Sequence, residues 1–202
     1  MSDSLLDRVN KGILGLKPYE PGKPINETQK ELGIKNIIKL ASNENPLGIS
    51  PKAFKVISEK KDLNRYPDGN ATSFKEVVSQ IEKIKTSMIT VGNGSNDLIE
   101  FVSKCFLSEG DNAIYSQHGF AIYPLAIKST GAKAIKAKAR DWGHDLNLMK
   151  DLVDENTKVI FLATPNNPTG TVLESSDIEE FLEAIPSNIC LLYTSDAADD
   201  LL

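Results

Sequence analysis

From residue 88 onward the chain alternates two hydrophobic patterns, short apolar runs and longer stretches carrying one apolar stripe. The runs Met88-Ile89-Thr90-Val91, Ala113-Ile114-Tyr115-Ser116, 132–139 and Val159-Ile160-Phe161-Leu162-Ala163 predict buried strands. The stretches between them repeat apolar positions every three or four residues and predict helices over 98–107, 121–129, 146–153 and up to residue 184. Asp145 is placed to cap the third of these, and Ser176-Asp177-Ile178-Glu179 reads as a capping box for the fourth. Strands that alternate with helices predict an α/β fold, a mainly parallel sheet with helices on both faces.

Before residue 88 the pattern is looser. Leu5, Val9, Ile13 and Leu16 have helical spacing over residues 4–16. The prolines at 18, 21 and 24 then make an extended arm that must lie on a surface. Ile37-Ile38-Lys39-Leu40 predicts a short strand, and Ser42-Asn43-Glu44-Asn45-Pro46-Leu47-Gly48 is turn chemistry that serves equally as loop or site. Pro51 opens a helix running to about residue 61. Asn64-Arg65-Tyr66-Pro67-Asp68-Gly69 is a turn in which Tyr66 is either displayed or packed on its own loop. A helix over 71–85 carries Phe74, Val77, Val78, Ile81 and Ile84 on one stripe, which predicts a core face.

Composition narrows the class without naming it. The 202 residues are 40% hydrophobic and 25% charged, with a net charge of −5. A chain of this kind builds one sizeable core, and its interspersed charges offer no basic footprint for nucleic acid. No apolar run reaches the length of a membrane span, and the start Met1-Ser2-Asp3-Ser4 lacks a signal peptide's regions, so a cytoplasmic location is the expectation. Cys105 and Cys190 match no metal or disulfide spacing.

Candidate chemistry sits in three loops. Gly92-Asn93-Gly94-Ser95-Asn96-Asp97 joins an expected strand to a helix, where glycines admit a phosphate and helix N–H groups face it. Ser95 and Asn96 are either donors to that phosphate or simply helix caps. The glycine spacing fits neither a nucleotide P-loop nor a dinucleotide loop, which leaves a simple phosphate ester. Phe120, just past the second strand, could stack on a planar heterocycle or serve as core. In Thr164-Pro165-Asn166-Asn167-Pro168-Thr169-Gly170 the prolines and glycine hold Asn167 outward at the carboxyl end of a strand, where α/β sheets bind ligands. Lys104, in a Ser-Lys pair, reads as a solvated helix residue, and His118 and His144 as residues without a catalytic role, His144 on a surface turn.

The last of these loops resembles that of fold-type I pyridoxal-phosphate (PLP) aminotransferases. Lys17-Pro18-Tyr19-Glu20-Pro21-Gly22-Lys23-Pro24, Leu40-Ala41-Ser42-Asn43-Glu44-Asn45-Pro46-Leu47-Gly48, Asn64-Arg65-Tyr66-Pro67-Asp68 and the two loops at 92–97 and 165–170 together resemble the N-terminal half of the histidinol-phosphate aminotransferase family. That resemblance implies the cofactor PLP, with Ser95 and Asn96 on its phosphate, Phe120 on its ring and Asn167 on its ring hydroxyl. It implies a homodimer in which Tyr66 reaches the neighbouring subunit's cofactor phosphate, and Tyr19 encloses an imidazole-bearing amino phosphate substrate. It also implies an arm and the start of a small domain over 1–45 and the first part of the large, PLP-binding domain over 46–189. Threonine-phosphate decarboxylase, a sister PLP enzyme, shares these loops, and a non-catalytic phosphate-binding domain is the reading from another class. The family's Asp-Glu-Ala-Tyr type motif, cofactor-bonding lysine and carboxylate-binding arginine have no counterpart here, so no residue is assigned a catalytic role. Cys190-Leu191-Leu192-Tyr193-Thr194-Ser195-Asp196-Ala197-Ala198-Asp199 resembles a translated sequencing adapter, which makes 190–202 an expected non-native tail.

Overall fold

A computed structural model describes residues 9, 11–19, 22–61 and 63–194. The chain divides into two compact units, one formed by residues 1–19 with 92–202 and the other by residues 20–91.

The smaller unit is helical. Its helices are α1 (Ile25–Leu32), α2 (Pro51–Glu59) and α3 (Thr72–Glu82), and none contributes a buried residue. Helix α1, which no hydrophobic pattern announced, ends at Gly33 in the left-handed region, whose N–H donates to the Gln29 carbonyl. Pro51 opens α2 at its first position, as expected. The start of α3 hangs on Asp68, whose carboxylate accepts from the N–H of Asn70 at 2.9 Å and of Thr72 at 2.8 Å. Hydrogen bonds from Thr72 and then Asn70 hold that carboxyl down to about 2. The predicted core stripe of α3 is instead exposed, with Phe74, Val77 and Ile81 all more than half accessible. Periodicity sets which face is apolar, and among the described residues nothing covers it. Two predicted strands are also absent. Ile37–Leu40 forms no ladder, and Ile38 and Leu40 are almost fully exposed. Met88 belongs to a 3₁₀ turn, Thr86–Met88, after which Ile89 is extended but unpaired. An extended segment becomes a strand only when a neighbour takes its hydrogen bonds.

The larger unit carries the expected sheet. Strands β1 (Asn112–Ser116), β2 (Lys133–Ala137), β3 (Thr157–Ala163) and β4 (Cys190–Thr194) lie in the order β2-β1-β3-β4, every neighbouring pair parallel. Helices α4 (Ser95–Phe106) and α5 (Ile122–Ser129) cover one face, and α6 (Leu146–Asp151) and α7 (Ser175–Ala184) the other. The period-two rule divides β3 between them. Val159 and Phe161 join Ile99, Tyr123 and Ile127, while Ile160 and Leu162 join Met149 and Phe181, all of them buried. Both faces being covered explains why residues 113–115 of β1 and 159–163 of β3 read as unbroken apolar runs.

Three local expectations change here, and residues 190–194 add a strand. Residues 11–15 are turns rather than helix, and 1–8 lie outside the described residues. Helix α7 begins at Ser175 with Glu174 as its cap and no side-chain cap bond, so the capping box does not form. Residues 190–194, read as the start of a foreign tail, pair along β3 from Val159–Cys190 to Ala163–Thr194. Cys-Leu-Leu-Tyr-Thr is apolar and β-prone enough to take that edge; residues 195–202 lie outside the described residues. His144, expected on a surface turn, is buried, as described below.

Candidate functional site

The parallel sheet brings the loops after β1 and β3 to one edge, because all carboxyl ends point the same way. The start of α4 reaches that edge by length. Ser108 and Asp111 close a tight turn between α4 and β1, the Asp111 carboxylate accepting from the Ser108 N–H at 2.9 Å. From there the helix runs back about 18 Å at 1.5 Å per residue, and β1 runs out about 17 Å. Those lengths match, and Asn96 in the first turn of α4 shares a groove with Ile122, two residues past Phe120.

That start is unusually open. Helix α4 begins at Ser95, three residues earlier than predicted, and its N-cap is Gly94, at φ 77° and ψ 179°, without a side-chain cap bond. Ser95 and Asn96 are therefore the first two helical residues and not caps, and both are exposed. The loop is held from the other side, where the Asp97 carboxylate accepts from the Asn93 N–H at 2.8 Å and the Gly94 N–H donates to the Gly92 carbonyl at 2.9 Å. Gly92 is required by closeness, since a Cβ there would lie 2.8 Å from that of Asp97. Free first-turn N–H groups at an uncapped start can accept an anion. Asn96 also lines a groove with Ile122 of α5 and with Lys17 and Pro18 of the arm; Tyr19, the next residue, is half exposed.

Phe120 is half-buried, packed against the core on one side and edge-on to Tyr123, with ring centroids 5.9 Å apart. Tyr123 stacks on Phe161 at 4.8 Å, so Phe120 rests on a rigid aromatic column. Asn167 is partly buried, and among the described residues its side chain makes no hydrogen bond. The peptide bonds before Pro165 and Pro168 are both cis. Tyr66 belongs to the other unit and is fully exposed.

Two residues that sequence reasoning passed over hold this edge together. Asn166, only 2% exposed, donates its amide to the His118 carbonyl at 3.0 Å and to the Thr169 hydroxyl at 2.7 Å. His144 is likewise buried, its Nε2 bonded to the Ala163 carbonyl at 2.8 Å at the end of β3. Burial pushes the His144 imidazole down, partly offset by the Ala163 bond, so it sits neutral and acts as a strut. The His118 ring meets Trp142 at a tilt of 33°, with ring centroids 4.7 Å apart. Lys104 pairs with Glu100 one turn away at 2.7 Å and is largely exposed, as expected of a solvated residue. Among the described residues no cluster could hold a metal, and no helix is long and apolar enough to cross a membrane.

A parallel sheet with an open helix start and two loops at its carboxyl edge is an α/β domain with the edge at which such domains bind ligands. The family model for aminotransferase class I and II matches residues 35–198, and the chain belongs to that family. Among its curated relatives are histidinol-phosphate aminotransferase 1 of Idiomarina loihiensis, 46% identical over 93% of this chain and 51% of that protein, and histidinol-phosphate aminotransferase 2 of Pseudomonas fluorescens, 44% identical over 95% and 53%. The chain thus spans about half the length of the curated relatives it matches. The crystal structure of histidinol-phosphate aminotransferase from Sinorhizobium meliloti, in complex with pyridoxal-5'-phosphate, superposes with a TM-score of 0.82 at 21% identity, covering 92% of this chain and 50% of that one. This last likeness is one of fold.

Proposed function

We propose that this chain is the cofactor-receiving half of a PLP-dependent histidinol-phosphate aminotransferase. The observation that carries the reading is the Asn166–His118 hydrogen bond, which ties the Phe120 loop to the Asn167 loop at the edge where α4 starts bare. The residues fit the group chemically. Ser95 and Asn96, with the first N–H groups of α4, bind the phosphate; the exposed side of Phe120 lies against the pyridine ring; the free amide of Asn167 donates to the ring hydroxyl oxygen. Phe120 also excludes water from one ring face.

When bound, PLP supplies the carbonyl that takes up the amino group and the electron sink that makes the transfer possible. This chain's contribution is binding and orientation. In the same reading Tyr66 reaches the cofactor phosphate of a second subunit in a homodimer, Tyr19 encloses the imidazole phosphate end of the substrate, and the enzyme works in the cytoplasm on amino transfer between histidinol phosphate and 2-oxoglutarate. No residue of the chain is proposed as the amine, the ring-nitrogen partner or the substrate-carboxylate ligand, because no stretch of the sequence matches the family's motifs for those roles; of the two lysines lining the α4–α5 groove, Lys17 and Lys104, the second is paired with Glu100.

The test is to express the gene at the length of its relatives and assay both substrates. Amino transfer from histidinol phosphate to 2-oxoglutarate is the expected result. Release of carbon dioxide from threonine phosphate in its place would assign the chain to the sister decarboxylases, and PLP binding with neither reaction would leave a phosphate-binding module.

A further inference from the structure

We propose that Asn166 is a positioning residue that sets Asn167 opposite Phe120, an inference that rests on the PLP-binding reading above. The 164–170 loop closes on itself. The Asn166 N–H donates to the Thr171 carbonyl at 2.8 Å, the Gly170 N–H donates to the Asn166 carbonyl at 2.7 Å, and the hydroxyls of Thr169 and Thr171 meet at 3.1 Å. A loop closed in this way keeps its own shape, and its base is held at Thr164, whose N–H donates to the Thr194 carbonyl at 3.1 Å and whose hydroxyl accepts from the Leu173 N–H at 2.8 Å. One side-chain bond ties it to the neighbouring loop, from the Asn166 amide to the His118 carbonyl at 3.0 Å.

The attachment points make that bond specific. His118 lies two residues before Phe120, and Asn166 immediately precedes Asn167. The 117–120 loop is itself tight, with the Gly119 N–H donating to the Ser116 carbonyl at 2.9 Å. A Cβ at Gly119 would come within 3.1 Å of that carbonyl. Fixing Asn166 to His118 therefore fixes the span between the Asn167 amide and the Phe120 ring. Asn166 is 2% exposed and its side-chain carbonyl has no partner. A buried amide left half satisfied costs free energy, so the residue is held by its donor half, the half that ties the loops. Asparagine was read as functional at 167 from the sequence, and its twin at 166 is the reason 167 stays in place.

The experiment uses the whole chain, with PLP and inorganic phosphate as separate probes in equilibrium dialysis. Asn166→Ala and Asn166→Asp are compared with Asn167→Ala and with the two double variants. Each Asn166 variant should bind PLP about tenfold more weakly, the worth of one hydrogen bond to the ring, while inorganic phosphate binds as before at the α4 start. In the Asn167→Ala background the Asn166 change should add nothing, because both act on one contact. The absorption band of bound PLP should shift alike in Asn166 and Asn167 variants, which a merely looser fold would not produce. If Asn166→Ala does not fold, Asn166→Asp keeps the side-chain shape and carries the same expectation. Equal losses in both backgrounds, or unchanged PLP affinity in the Asn166 variants, would overturn the inference. Wild-type chain that takes up no PLP would instead remove the functional reading beneath it, and that result is read before any variant is made.

Discussion

Replacing Gly94 with alanine isolates the backbone requirement of the proposed phosphate site. At φ 77° and ψ 179° Gly94 occupies a region open essentially to glycine alone. No atom lies within 4 Å of a Cβ built there, so the cost is conformational and not steric. Holding alanine in that conformation costs about 1–3 kcal/mol. Restricting the unfolded chain returns about 0.4–1 kcal/mol. The net expectation is a loss of about 1–2 kcal/mol in stability. The chain can relieve the strain only by turning the first N–H groups of α4 away from one another, which weakens phosphate binding in the same variant. Urea unfolding followed by circular dichroism measures the first effect, with Trp142, the single tryptophan, reporting on the sheet-bearing unit by fluorescence. Phosphate titration measures the second. Gly69, outside the left-handed region and with open space around it, is the control, and Gly69→Ala should be neutral or slightly stabilising. A Gly94→Ala chain as stable as wild type, with unchanged phosphate affinity, would refute the reasoning.

Burial holds the His144 imidazole below its ordinary value near 6.5, so the unfolded chain takes up a proton that the folded chain refuses. His144's contribution to stability is thus complete above that ordinary value and is lost as pH falls from about 7 through it; urea midpoints should fall over that window and His144→Gln should flatten the slope. Borohydride trapping of PLP on the isolated chain should label lysines in a scattered, substoichiometric way, since Lys104 is committed to Glu100; stoichiometric labelling at one lysine, mapped by mass spectrometry, would contradict this. For residues 190–202, proposed to be foreign to the gene, sequencing of genomic DNA should give different codons after Ile189, and the codons for Cys-Leu-Leu-Tyr-Thr-Ser-Asp there would end that proposal.

The sheet was legible where both faces are covered, because residues 113–115 and 159–163 then read as unbroken apolar runs. Legibility failed where a segment depends on something distant. Among the described residues, the 37–40 segment has strand composition but no ladder partner, and the α3 stripe has helical periodicity but no cover. His144 looked like a turn residue because its acceptor, the Ala163 carbonyl, is remote in sequence. The loop proposed to hold phosphate was visible in its glycines, yet the helix start at Ser95 was not, since Gly94 turns the chain into the helix by backbone angle, without a side-chain cap. In the Asn-Asn pair, composition cannot say which amide turns inward; the His118 carbonyl and the Thr169 hydroxyl decide it for Asn166. Asn167 is the one of the pair left free for a ligand.

The central claim is that Ser95 and Asn96, Phe120, and Asn167 serve one ligand. Titration of PLP into the ¹⁵N-labelled chain tests it most directly, by following the backbone amides of Ser95, Asn96 and Phe120 and the side-chain amide of Asn167. The account predicts that all of these resonances move together with one dissociation constant, and that inorganic phosphate moves only the Ser95 and Asn96 signals. Shifts confined to a single loop, or separate constants for the α4 start and the Asn167 amide, would contradict it.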